Sequence, residues 1–350
     1  MRVHVLAIVD PGEETHPFVA SLRSSRIACD TLVVPPRRYV MERRAVVAHC
    51  RRLQPDVVHL HGTRIDVADS GAIRTAGFRV VSTVHGFTGG DAKNRLYETL
   101  QRRALRRMDA AIAVSRAIGS RLLRSGVSAD RIHVIPNAAP PAATPMSQGE
   151  ARDALGLPRR GCVIGWVGRL TREKGCDVLL EAVSRLRRPT ITVSIIGAGS
   201  EREFLERAAH ATDLQGQVRW HGEIADAGRL LSAFDVLVIS SRTEGTPMVL
   251  FEAIQSGVPI VTTAVGGIPD VVSPDEAVLV APEDPAALAL AIAWAIDDRQ
   301  AAAERVTRSR ALITHEYSLS RWIERYTLLY ETLLPRSQRA PLPAGALVSV

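Results

Sequence analysis

The chain has 350 residues, 46% hydrophobic and 23% charged, with a formal net charge of +7. At roughly 100–200 residues per domain, this length predicts two domains, each able to bury a core without disulfide or metal staples. No apolar run reaches the ~18–20 residues of a membrane span, residues 1–9 lack a signal peptide's apolar stretch and cleavage site, and Cys29, Cys50, Cys162 and Cys176 form no CxxC pair; the expectation is a cytoplasmic protein with reduced thiols.

In chain order, residues 2–9 read as a strand. The loop 10–14 (DPGEE), with Gly12, follows, and then a helix from about His16. Residues 31–34 form the next strand and 40–53 a basic helix. Strands at 56–60, 80–84 and 110–114 each precede a helical stretch, one of them the arginine-rich 93–107. Strands alternating with helical patterns of about 10–15 residues predict βαβ units and a parallel sheet. Residues 136–158 hold five prolines among small polar residues, a linker composition, and the domain boundary is placed there. The scheme then repeats, with strands at 162–167, 190–196, 218–220, 235–240 and 259–262. Helices are expected near 175–187, 201–211, 225–233, 247–256 and from 286 to about 334, and 335–350 reads as a flexible tail.

Two doubly wound α/β domains on a hinge face each other across a cleft, and ligands of such folds bind on the loops after the strands. The strongest signal is 240–259, SSRTEGTPMVLFEAIQSGVP. Gly245 admits close backbone approach, and a helix beginning near Pro247 offers amides and a dipole to an anion. Glu244 and Glu252 suit hydroxyl groups on either side of that anion, because a carboxylate accepts hydrogen bonds. Next is 167–175, VGRLTREKG, where Arg169 and Lys174 on one loop would neutralise a diphosphate. Read alone, these side chains are equally solvated surface charges. Of the 44 basic residues only Lys93 and Lys174 are lysines, which singles out Lys174. In 83–87, TVHGF, His85 ends a strand and could hydrogen-bond a substrate or shuttle a proton. His59 and His61 share a strand face, but no nearby third ligand completes a metal set. Weaker glycine turns are 196–199 (IGAG, with Gly197 and Gly199) and 266–270 (GGIPD). Asn137 closes the motif 135–137 (IPN). The chain has no Asp-x-Asp.

Together these loops resemble the retaining glycosyltransferases of family 4, with their GT-B fold of two Rossmann-like domains. The resemblance runs from Arg2 to about Leu334. It is carried by Gly168-Arg169-Leu170, Glu173-Lys174-Gly175, Gly197 and Gly199, Glu244-Gly245 with Pro247, Glu252, and Gly257 with Pro259, and by 266–270. Looser matches are 56–61, 84–86, 113–115 and 134–137. The resemblance implies an acceptor domain over 1–150, a donor-nucleotide domain over 151–315, a helix over 316–334 crossing back, and the tail 335–350. It implies a UDP- or GDP-sugar as co-substrate, with no cofactor and no metal. Gly168, Arg169 and Lys174 would hold the donor diphosphate, and Glu252 the ribose. Glu244 would hold the sugar hydroxyls, and Gly245, Thr246 and Pro247 would lie near the phosphate. His85 would contact the sugar near its reacting carbon, and Gly197 and Gly199 would border the base. Gly12, His16, His85 and Asn137 would lie on acceptor or N-terminal-domain loops.

The sequence departs from many relatives at 10–14, where a Gly-Gly loop is usual, at Ala138 after Pro-Asn, and at Thr246-Pro247. Front-side attack is the expected route to retention, since no carboxylate is evident beneath the sugar. The expected acceptor is a saccharide, a lipid-linked molecule or a small molecule, in cell-surface polysaccharide or glycolipid synthesis. Residues 1–160 carry net +11 and 161–350 net −4, so the basic half suggests peripheral contact with the anionic inner face of a membrane. Two other readings stay open. One is a nucleotide-sugar 2-epimerase of similar fold. The other is an arginine-rich nucleic-acid-binding protein, disfavoured because only 4% of residues are aromatic, so no nucleic acid is expected.

Overall fold

A computed structural model describes residues 1–86, 92–141, 144, 146–212, 214 and 216–334. Phe87, the Lys93 side chain and the expected tail 335–350 lie outside the described residues. The chain forms two compact units, one of residues 1–113, 121–133 and 325 onward, the other of 114–120 and 134–324.

Through the first 134 residues the elements are β1 (His4–Val9), α1 (Pro17–Ser24), β2 (Ala28–Val33), α2 (Tyr39–Leu53), β3 (Val58–His61), α3 (Thr63–Ala68), α4 (Ser70–Thr75), β4 (Val80–Val84), α5 (Ala92–Leu105), β5 (Ala110–Ala113), α6 (Arg116–Arg124) and β6 (Ile132–Val134). Strands β3-β4-β5-β6 make one sheet in that order, and β1 and β2 pair in parallel as a separate ribbon. Every residue of β4 and β5 is buried. That is why neither strand alternates apolar with charged residues, β4 reading VVSTV and β5 AAIA: a parallel sheet covered on both faces has no solvent side to mark.

The second unit continues with α7 (Gln148–Ala154), β7 (Cys162–Val167), α8 (Cys176–Leu186), β8 (Ile191–Ile196), α9 (Arg202–Ala211), β9 (Val218–Gly222), β10 (Val236–Ile239), α10 (Met248–Ser256), β11 (Ile260–Thr263), α11 (Ile268–Val271), β12 (Val278–Val280), α12 (Pro285–Asp297) and α13 (Arg299–Glu316). Helix α14 (Leu319–Leu333) begins in this unit, and from Arg325 belongs to the first. The sheet order is β12-β11-β10-β7-β8-β9, all parallel. Alternation along the strands divides the core. Ile164, Trp166, Val236 and Val238 pack with Leu179, Leu180 and Ile292 on one face. Val163, Leu237 and Ile239 pack with Phe251, Ile254 and Ile268 on the other. The chain runs outward from β7 to β9, then returns to the far side of β7 as β10. The loops after β7 and β10 therefore sit together at a topological switch point.

The proline-rich stretch is not a free linker. It is strapped onto the second unit: Gln255 Nε2 donates to the Pro140 carbonyl (2.7 Å), the Ala139 amide to the Tyr317 carbonyl (2.8 Å), and the Ser232 hydroxyl to the Met146 carbonyl (2.8 Å). Within it Ser147 and Glu150 form a capping box that starts α7, a pattern the proline count hides. The expected helix over 225–233 is a 3-10 helix over Ala227–Ala233, and the three-residue β12 lies beyond the expected strands. Among the described residues no helix is long and apolar enough to cross a membrane.

Candidate functional site

The loops after β7, β8 and β10 are tied together by backbone hydrogen bonds. The Gly168 amide donates to the Ile196 carbonyl (3.0 Å), Leu170 to Ala198 (2.8 Å) and Arg242 to Glu173 (2.8 Å). Such bonds need carbonyls where side chains would otherwise stand. A Cβ on Gly197, at φ +141°, would overlap the Gly168 carbonyl oxygen, and one on Gly199 the Leu170 oxygen. A Cβ on Gly266, at φ +59°, would overlap the Glu244 oxygen. The Gly267 amide then reaches the Gly245 carbonyl at 2.6 Å. The glycine turns thus close the loops on one another.

At the centre, Lys174 Nζ donates to both carboxylate oxygens of Glu244, at 2.7 and 2.8 Å. The Ser241 hydroxyl adds a bond of 2.6 Å to Glu244 Oε1. The Glu244 side chain is 6% exposed and that of Lys174 21%. These two residues, which in sequence suggest separate phosphate and hydroxyl contacts, are each other's partners. Arg169 is 66% exposed and pairs with Glu173 at 3.2 Å, a solvent-screened contact. Glu252, on α10, is half-buried and its carboxylate makes no hydrogen bond or ion pair among the described residues; burial pushes its carboxyl above the ordinary value. Pro247 is the N-cap of α10 and supplies no side-chain cap, so the helix presents its first amides.

Arg242 lies inside the strongest motif, where nothing in the local pattern assigns it a role. Its guanidinium grips Asp177, in the first turn of α8, with two bonds of 2.9 and 2.8 Å. It also donates to Glu283 (2.8 Å) and to the Arg172 carbonyl (2.7 Å). The Asp177 hydrogen bond raises the guanidinium pKa further. Burial would raise the Asp177 carboxyl, but Arg242 outweighs it and holds that group below its ordinary value. This clamp holds the turn carrying Lys174 beside the segment carrying Glu244. Thr246, 6% exposed, donates from Oγ1 to the Val114 carbonyl (2.6 Å), and Asn137 Nδ2 donates to the Thr246 carbonyl (3.3 Å). Asn137, expected on an N-terminal-domain loop, therefore belongs to the second unit and steadies the loop after β10.

In the first unit, Gly12 lies in the exposed turn after β1. His16 caps α1, its Nδ1 accepting from the Phe18 amide (3.2 Å). His59, His61 and His85 form a row, with ring centroids 4.3 and 6.1 Å apart, a stack of rings rather than a set of converging metal ligands. His59 bonds the Tyr330 hydroxyl through Nδ1 (2.6 Å) and the Thr83 hydroxyl through Nε2 (2.8 Å). Burial, with the neighbouring His61 and His85, pushes its pKa down to about 3, so it is a neutral structural link. His85 is exposed at the end of β4. The group of side chains close enough to share a metal ion, among the described residues, is His4, Asp30 and His49, outside these loops.

The model of the family described as "Glycosyltransferase Family 4" matches residues 1–142, and that described as "Glycosyl transferases group 1" matches residues 147–311. The chain is 28% identical over 309 residues to a glycogen synthase of Mycobacterium tuberculosis, covering 84% of this chain and 72% of that one. It is 27% identical over 247 residues to the lipopolysaccharide core biosynthesis mannosyltransferase LpsB of Rhizobium meliloti, covering 66% and 67%. In three dimensions it is similar to Anabaena HepE, solved with UDP-glucose, at a TM-score of 0.79 and 21% identity over 94% of this chain and 99% of that one. It is also similar to sucrose-phosphate synthase from Thermosynechococcus elongatus, at a TM-score of 0.77 and 20% identity over 95% and 99%.

Proposed function

This chain belongs to the GT-B glycosyltransferases of family 4, and on that premise we propose that it transfers a sugar from a UDP- or GDP-sugar to a hydroxyl acceptor, with retention and without a metal. The observation that carries the reading is the Lys174–Glu244 pair beside the bare N-terminus of α10 at the switch point. Cleaving a sugar–phosphate bond leaves negative charge on the departing diphosphate. Lys174 and the α10 amides are preorganised donors for that charge, the exposed Arg169 on the same loop can turn to join them, and such electrostatics are usually the largest catalytic contribution. Glu244 and Glu252 accept hydrogen bonds from hydroxyls of the sugar and the ribose. His85, of the first unit, takes its role from the family alone, as a contact to the sugar near its reacting carbon. The acceptor hydroxyl attacks the anomeric carbon on the face the diphosphate leaves, and its proton passes to the departing phosphate oxygen.

A UDP-sugar donor is supported by the ligand of HepE, and a saccharide or glycolipid acceptor by the names of the relatives. Contact of the basic first unit with an anionic membrane extends the same reading. The test is a thermal-shift screen of nucleoside diphosphate sugars, followed by NMR of the product made in the presence of a chelator. Stabilisation by one donor class and a product with the donor's own anomeric configuration support the proposal. Inverted product, or turnover abolished by the chelator, would sink it.

A further inference from the structure

Three side chains on the β1–β2 ribbon and α2 converge away from the loops described above. Asp30 Oδ2, on β2, lies 3.1 Å from His4 Nε2, at the start of β1, and 3.5 Å from His49 Nε2, on α2. The imidazole rings of His4 and His49 are 5.5 Å apart, and one ligand atom from each of the three residues falls within 4.8 Å of the others. Metal–nitrogen and metal–oxygen bonds of about 2.0–2.2 Å place tetrahedral ligand atoms about 3.3 Å apart, close to the spacings of this group. His49 Nε2 is buried and makes no hydrogen bond among the described residues. The cluster already holds a cation. Arg52, 61% exposed and one turn along α2, donates from Nη2 to Asp30 Oδ2 (2.6 Å) and lies 3.1 Å from His49 Nδ1.

We propose that His4, Asp30 and His49 form a site for a divalent first-row transition ion such as Zn²⁺, with Arg52 as the resident cation that the metal displaces. Two imidazoles and one carboxylate favour such an ion over Mg²⁺ or Ca²⁺, which prefer all-oxygen sets. Water would complete the tetrahedron, and the carboxylate and imidazole lone pairs would all point inward. Arg52 must leave, because a metal on His49 Nε2 puts the ring proton on Nδ1, where a guanidinium donor has no acceptor. Its long, exposed side chain can swing into solvent. The ion would tie β1, β2 and α2 together, a staple for a two-stranded ribbon that, among the described residues, does not pair with the four-stranded sheet. Sugar transfer does not use it.

The test is a Co²⁺ titration of the full chain followed by visible absorption, with Zn²⁺ as competitor. The expected result is one bound ion with a tetrahedral absorption band, displaced by Zn²⁺, and a raised thermal midpoint. Asp30→Asn and His49→Gln should weaken binding about tenfold or more, and Arg52→Gln should tighten it about tenfold, because it removes a unit charge beside a divalent ion. His4→Gln, at a partly exposed strand end, serves if His49→Gln misfolds. No band in either the wild type or Arg52→Gln overturns the proposal. So does Co²⁺ affinity unchanged by His4→Gln and Asp30→Asn, or an Arg52→Gln variant that binds no tighter than wild type.

Discussion

Replacing Lys174 by Met should cost both stability and turnover, and the structure separates the two. Glu244 is 6% exposed, and its charge is met by Lys174 and the Ser241 hydroxyl. Removing the ammonium leaves a buried carboxylate with one neutral donor. Breaking a buried pair from one side costs about 3–5 kcal/mol. The low end applies because Lys174 is one-fifth exposed and Ser241 remains. At roughly 2–4 °C per kcal/mol for a unit of this size, the midpoint should fall by about 6–12 °C. Glu244→Gln should cost less, since the orphaned ammonium can turn towards water. Lys174→Met combined with Glu244→Gln removes both charges and should recover most of the lost stability. Turnover should behave differently. A charge-assisted bond to the leaving diphosphate is worth about 1.5–3 kcal/mol, or about 10–150-fold in kcat/KM, and the double variant restores none of it. Thermal unfolding and initial rates on the three variants test this. A Lys174→Met protein as stable as wild type would refute the desolvated pair, and recovery of activity in the double variant would refute the catalytic role of its charge.

The remaining predictions follow from the same geometry. Arg242→Lys keeps a charge but loses the two-pronged hold on Asp177, so kcat should fall at least about tenfold, with little change in unfolding temperature if the clamp chiefly positions Lys174; an unchanged kcat denies it that role. Gly266→Ala puts a methyl on the Glu244 carbonyl at φ +59°, and should add about 1–3 kcal/mol of strain and raise KM for the donor; steady-state kinetics with unchanged KM would count against it. His59 has a folded pKa of about 3 against an unfolded value of about 6.5, so unfolding takes up a proton between those limits. The stability this confers is complete above about pH 6.5 and fades as the pH falls towards 3, by up to about 1.4 kcal/mol per pH unit. Urea unfolding at pH 6.5 and 5 should therefore show a steeper loss for wild type than for His59→Gln, and equal slopes would contradict the neutral assignment.

The local pattern of residues determined much of this protein. The β-branched runs at 80–84, 162–167 and 191–196 became strands of parallel sheets. Gly197, Gly266 and Pro247 marked turns after strands because each leaves a local signature in backbone freedom or helix entry. The charged loops at 167–175 and 240–259 were legible for the same reason. Tertiary structure alone decided who meets whom. Lys174 and Glu244 are 70 residues apart, Arg242 and Asp177 65, and His59 and Tyr330 271. No periodicity encodes such pairs, because they depend on β10 returning beside β7 and on α14 returning to β3. The bonds that hold the proline-rich stretch were hidden for a related reason. Its composition resembles a linker, but its carbonyls, which have no partner nearby in sequence, accept bonds from Gln255 and Ser232, donors that only the tertiary structure brings to them. The sequence thus determined which loops carry charge, and the fold determined that in each loop the charges first answer one another.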